Sequence, residues 1–215
     1  DVYYCKTTDL GDGDVTHWQK YGTANEDGTI SIDTPSAEDL PWLYSHFNES
    51  NSVKEAWGTY NPTTRDSILT VTTKGGILLR FPQNWFMNYL NLTTFDGSGL
   101  VLYDDALTPL GMNCQSVKGL FENATALRSL KGVNAWDTRG VQDFSYAFYN
   151  TPRLVNLDIR SWMMHHVADS SKFENMFKGM GTSGMQSITL GPYAVLENTG
   201  FGFRDTDTEQ NVPFL

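Results

Sequence analysis

Few side chains in this chain could do chemistry, and their spacing argues against most of it. His165-His166 are adjacent. Neighbours on a strand point to opposite faces, so the pair would chelate a metal poorly. No Glu follows at H-E-x-x-H spacing, and the pair reads as part of a loop. Asp104-Asp105 could serve as acid and base, yet nothing in a shared loop separates their pKa values; a solvated turn is expected. The run Asp9-Leu10-Gly11-Asp12-Gly13-Asp14 has the acidic look of a calcium loop but lacks the later bidentate Glu of an EF-hand. Cys114 could pair with a His for nucleophilic catalysis, but it occupies an apolar slot. G-x-S-x-G, P-loop and dinucleotide fingerprints are missing from the sequence. The expectation is a non-enzyme with no metal and no cofactor. What remains are polar residues interleaved with apolar ones: Thr94 and Asp96, Ser129 and Lys131, Asn156, Asp158 and Arg160, Ser187 and Thr189. Such a set suits hydrogen bonding to a glycan or a protein surface. It equally suits a face that meets water.

Those residues have to be positioned, and the stretch from Val141 to His166 shows how. Val141, Phe144 and Phe148 fall at spacings of three and four, which predicts one face of a short helix. Asn150 stands where a helix would turn left-handed and stop, and Pro152 bars a return to helix. Leu154, Leu157 and Ile159 then alternate like a strand. A helix turn plus a strand of this length cannot bury its own apolar face, so it needs neighbours of the same kind.

Neighbours of that kind are present. Phe86, Phe121, Phe148 and Phe177 anchor the copies, followed two residues later by Asn88, Asn123, Asn150 and Gly179. All are residue types that tolerate positive φ. Leu92, Leu127 and Leu154 come next, then Phe95, Leu130 and Leu157. In the fourth copy an insertion, Gly181 to Gly184, delays Met185, Ile188 and Leu190. Trp136 and Trp162 take matching places and read as core, with sugar stacking the alternative. Val141 and Val167 open copies, and Cys114 fills that slot one copy earlier. The expected fold is α/β, a short solenoid with a helix and a strand per unit. Residues 81–190 form its four units, 1–80 a β-rich N-terminal domain or cap, and 191–215 a C-terminal cap over the exposed apolar end.

Within 1–80, Thr29 to Ile32 alternates like a strand after the turn signal Asn25 to Gly28. Thr34-Pro35-Ser36-Ala37-Glu38 has the marks of a helix start. Ser67 to Thr73 and Ile77 to Phe81 flank Gly75-Gly76 and predict a β-hairpin. Gly97 to Asn113 is an excursion inside the first unit.

The chain of 215 residues is 40% hydrophobic and 19% charged, with a formal net charge of −10. That balance argues against nucleic acid, where Lys and Arg must replace counterions, and against an anionic membrane surface. No apolar run approaches the roughly 18 residues of a membrane span. The start at Asp1 fits a mature secreted protein or a monomeric module of a longer chain. Cys5 and Cys114 are too far apart for a C-x-x-C site. They are either two thiols or one disulfide of the kind that exported proteins permit. The sequons at Asn48, Asn91 and Asn123 are what this composition yields by chance.

Val141-Gln142-Asp143-Phe144-Ser145-Tyr146-Ala147-Phe148 and Leu154 to Trp162, with the corner Asn134-Ala135-Trp136-Asp137-Thr138, resemble the BspA-like leucine-rich repeats of bacterial surface proteins. Met163-Met164 depart from the usual Asp-Thr. The resemblance implies an exported protein, at the bacterial cell surface or secreted, that acts in adhesion. Its partner would be a host glycoprotein, glycan or matrix protein. A spacer that only displays other domains is the second expectation. A glycoside hydrolase-like enzyme with an Asp/Glu pair assembled across the two regions is the third.

Overall fold

The computed structural model describes residues 68–73, 82–110 and 113–201, and the backbone of short strands at 2–4, 19–24, 29–32, 42–43, 77–79, 202–204 and 211–213. The expected helix start at Thr34, the run Asp9 to Asp14, and Cys5 lie outside the described residues. A six-stranded sheet holds β1 (Val2–Tyr4), β2 (Gln19–Ala24), β3 (Thr29–Ile32), β5 (Thr70–Thr73), β7 (Thr94–Asp96) and β9 (Ser129–Lys131), in that order. β1, β2 and β3 pair antiparallel, and from β3 onward every pairing is parallel. A second parallel sheet has the order β4 (Trp42–Leu43), β6 (Ile77–Leu79), β8 (Leu100–Val101). β10 (Asn156–Ile159) pairs in parallel with β11 (Ser187–Leu190), and β12 (Gly202–Arg204) pairs antiparallel with β13 (Asn211–Pro213).

The hairpin expected around Gly75-Gly76 does not form. β5 and β6 lie in different sheets, each paired in parallel with other strands. The reason lies in burial. Ile68 and Val71 are fully buried, and Val71 pairs with Phe95, which pairs with Leu130. A hairpin would take Val71 away from that apolar column. Ile68-x-x-Val71 is therefore one more copy of the Leu92-x-x-Phe95 pattern, and the parallel sheet runs across residue 80.

The short helices are also replaced. Among the described residues there is no α-helix; the stretches 83–88, 118–123, 145–150 and 174–184 are runs of turns. Alternate N–H groups do different things. Those of Trp85, Met87 and Tyr89 close local turns onto Pro82, Asn84 and Phe86. Those of Asn84, Phe86 and Asn88 reach sideways to the carbonyls of Lys118, Leu120 and Glu122. The next copy repeats this from Gly119, Phe121 and Asn123 to Ser145, Ala147 and Tyr149, and the next from Tyr146, Phe148 and Asn150 to Glu174, Met176 and Lys178. Left-handed residues make it possible. Asn88, Asn123, Asn150 and Gly179 all have positive φ, as the sequence predicts. So do Asn84, Gly119, Tyr146 and Asn175, two residues before each anchor. A left-handed residue on either side of the anchor stops a right-handed helix and turns the freed N–H toward the neighbouring copy. The apolar spacing of three and four survives because successive turns still aim Val141, Phe144 and Phe148 inward, all at 0% exposure.

Inside, the anchors stack in a column. Phe86–Phe121, Phe121–Phe148 and Phe148–Phe177 have ring centroids 5.6, 5.9 and 6.0 Å apart, with interplanar angles of 13°, 18° and 9°. Trp136 stacks on Trp162 at 6.2 Å and Phe144 on Phe173 at 5.6 Å. Each buried ring contributes about 1.5–3 kcal/mol through burial. The indole N–H groups, costly to bury alone, donate to carbonyls of the preceding copy: Trp136 to Gly97 at 3.1 Å and Trp162 to Val133 at 2.8 Å. The tryptophans are thus core, and the sugar-stacking alternative is removed.

Candidate functional site

The polar residues between the buried positions are set by the pleat. In β7 Phe95 is buried while Thr94 and Asp96 are half-buried. Parallel register then lines up equivalent residues. Thr70 pairs with Thr94 and Thr94 with Ser129; Thr72 pairs with Asp96 and Asp96 with Lys131. Asn156 pairs with Ser187 and Asp158 with Thr189. Between β9 and β10 the sheet opens. There the link is the Val155 N–H donating to the Arg128 carbonyl at 3.2 Å, the same offset at which the Arg128 N–H donates to Thr93 at 2.9 Å. That offset carries the first row from Ser129 to Asn156 and the second from Lys131 to Asp158. The candidates picked from the sequence thus fall in two adjacent rows, except Arg160, which lies just past β10. Thr70 and Thr72 belong to them as well; the hairpin reading hid both.

Several of these groups are already engaged. The Asp96 carboxylate accepts from the Ser98 N–H at 3.0 Å and its hydroxyl at 2.5 Å. That hydroxyl, helped by Lys131 and opposed by burial, holds Asp96 below the usual carboxylate range. Arg160 Nε donates to both oxygens of Asp158, at 2.9 and 3.0 Å, and Nη2 to one of them at 2.6 Å. This bond lowers the Asp158 pKa and raises that of Arg160. Both groups lie near the surface, where such a pair contributes little to stability. The Ser187 hydroxyl donates to Asn156 Oδ1 at 2.7 Å. Lys131, exposed like Arg128 and Asn156, has no salt bridge among the described residues.

Residues 112–188 match the model of a family described as Mycoplasma protein of unknown function, DUF285. No curated protein and no solved structure matches the chain. The matched segment contains the copies anchored by Phe121, Phe148 and Phe177 and stops inside β11. It leaves out β5 and β7, which extend the same rows.

The other chemical candidates are dispersed. His165 and His166 sit in a turn; His165 lies against the Tyr193 ring at 4.4 Å, and His166 Nε2 is 2.8 Å from the Val141 carbonyl oxygen. Asp104 accepts from the Ala106 N–H at 2.8 Å, while Asp105 faces Arg139 at 3.6 Å. Among the described residues no group of three or more His, Cys, Asp or Glu gathers as a metal site would require. Cys114 is a free thiol at 0% exposure; Cys5, its possible disulfide partner, lies outside the described residues. Burial pushes the Cys114 pKa up to about 12, which leaves no thiolate for nucleophilic work. Among the described residues no helix is long and apolar enough to cross a membrane.

Proposed function

We propose that this chain is the binding region of a BspA-like bacterial surface adhesin, exported and acting outside the cell. Its stacked copies form a short leucine-rich-repeat-like solenoid, and the sheet rows are the surface offered to a host glycoprotein, glycan or matrix protein. The observation that carries this reading is the register. One row runs Thr70, Thr94, Ser129, Asn156, Ser187, and the next Thr72, Asp96, Lys131, Asp158, Thr189. Parallel strands lie about 4.8 Å apart, so on each side of the opening between β9 and β10 hydroxyls, amides and opposite charges recur at a fixed spacing. A preorganised polar surface loses little ordering entropy on binding.

A second reading, a spacer that displays other domains, draws on the bonds Asp96 and Asp158 already make within the chain. Lys131→Glu and Asn156→Ala separate the two. Both change partly or fully exposed side chains and leave the core intact. Binding of the folded protein to glycan and matrix-protein arrays should drop at least tenfold for either variant, a loss of about 1.4 kcal/mol. Unchanged binding by both would leave the spacer reading in its place.

A further inference from the structure

Tyr146 occupies a backbone position made for other residues. Its φ is 59°, in the slot where the other copies carry Asn84, Gly119 and Asn175 at 56°, 60° and 53°. Asn and Gly enter the left-handed region readily; a bulky aromatic residue there is an outlier. What the ring gains inside the chain is small. Its hydroxyl oxygen accepts from Asn175 Nδ2 at a long 3.3 Å, and its edge meets the Tyr149 ring at 5.6 Å and 65°. Both tyrosines are partly exposed, on the outer side of turns whose inner residues, Ala147 and Phe148, are at 0%. Backbone strain retained without an internal return clusters where a side chain serves something outside the fold.

The groups around the pair define what that is. The sideways hydrogen bonds put Glu122 beside Tyr149 in one column and Asn175 beside Tyr146 in the other. Burial holds the Glu122 carboxyl above its ordinary range. Glu174 is exposed next to Asn175. Half-exposed phenol rings offer an apolar face with a polar edge, flanked here by the Asn175 carboxamide and by charges of both signs: Glu122 and Glu174 against Lys118 and Lys178. We propose that Tyr146 and Tyr149 form a platform for a neutral sugar ring, with Asn175 and Glu122 placed to hydrogen-bond its hydroxyls. Sugar C–H groups pack on the rings, and a surround with no net positive charge gives sialylated and sulfated glycans no advantage over neutral ones. This site goes beyond the sheet-face reading and stands or falls separately from it.

The test uses the full chain, immobilised neutral oligosaccharides ending in galactose, glucose or N-acetylglucosamine, and their sialylated forms. Tyr146→Asn relieves the strain, so it should raise Tm by about 2–4 °C while lowering affinity for neutral oligosaccharides at least tenfold. Tyr149→Ala should lose binding to a similar degree. Asp105→Asn, an exposed change outside both proposed surfaces, should leave neutral-sugar binding unchanged. Full binding by Tyr146→Asn, a preference for sialylated forms, or no neutral-sugar binding by the wild-type chain overturns the proposal. Matrix-protein spots on the same array report the sheet-face reading independently, through their response to Lys131→Glu.

Discussion

Asn123 shows how much one residue does in this fold. Its backbone sits at φ 58°. Its Nδ2 donates to Asn88 Oδ1 at 3.0 Å, and its Oδ1 accepts from Asn150 Nδ2 at 2.9 Å. The side chain is thus the middle rung of a carboxamide ladder, and a glycan on its Nδ2 would break the rung to Asn88. The ladder ends at Gly179, which keeps the left-handed backbone and drops the side chain. Asn123→Gly separates these roles, because glycine keeps the conformation and removes both bonds. We expect it to lower unfolding stability by about 1–3 kcal/mol in urea melts with an unchanged slope. A variant as stable as the wild type would mean that the ladder is incidental and only the left-handed backbone matters.

At the scale of elements, the columns are the unit of stability. Phe148 touches Phe121, Phe177 and Trp162, at centroid distances of 5.9, 6.0 and 5.8 Å. Phe148→Ala would open a cavity between copies and should cost about 3–5 kcal/mol. Thermal unfolding checks it, and a loss under 1 kcal/mol would show that neighbouring copies close up without the ring. The sequence carried the anchors, the residues after them and the strand alternation, because each is a periodic choice of residue type. It did not carry the choice between helix and turn run. Spacings of three and four in Val141, Phe144 and Phe148 fit both, and the sideways hydrogen bonds that decide the matter link residues more than twenty apart. The second left-handed slot had a signal, Asn84, Gly119 and Asn175 before their anchors, but Tyr146 masked it. The rows Thr94–Ser129 and Asn156–Ser187 were legible from alternation. Thr70 and Thr72 were not, since Gly75-Gly76 is as compatible with a change of sheet as with a hairpin.

Across the whole molecule, one device places negative charge. Asp96, Asp104, Asp137, Asp143, Asp158 and Asp169 each accept the backbone N–H two residues on, from Ser98, Ala106, Arg139, Ser145, Arg160 and Ser171. A chain with a formal charge of −10 thereby ties carboxylates to the turns that reverse it. These bonds set how stability follows pH. Asp96, Asp158 and Asp169 lie below the ordinary value of 3.8, through Ser98, Arg160 and Ser171 respectively. A lowered folded pKa means stability that is present above 3.8 and lost as pH falls through the folded values. Glu122 has the opposite sign. Burial raises it above 4.5, so its ionised form opposes folding at neutral pH, and protonation relieves that as pH falls through the raised value, fully by 4.5. Tm should therefore fall on acidification below 3.8, and Glu122→Gln should be more stable than the wild type at pH 7. That advantage should shrink as pH falls through the raised folded value and be gone below 4.5. Thermal melts of both proteins from pH 3 to pH 7 measure it. A Tm that climbs below 3.8 would mean that the aspartates are not held by their turns, and a variant advantage that grows on acidification would mean that burial does not raise Glu122.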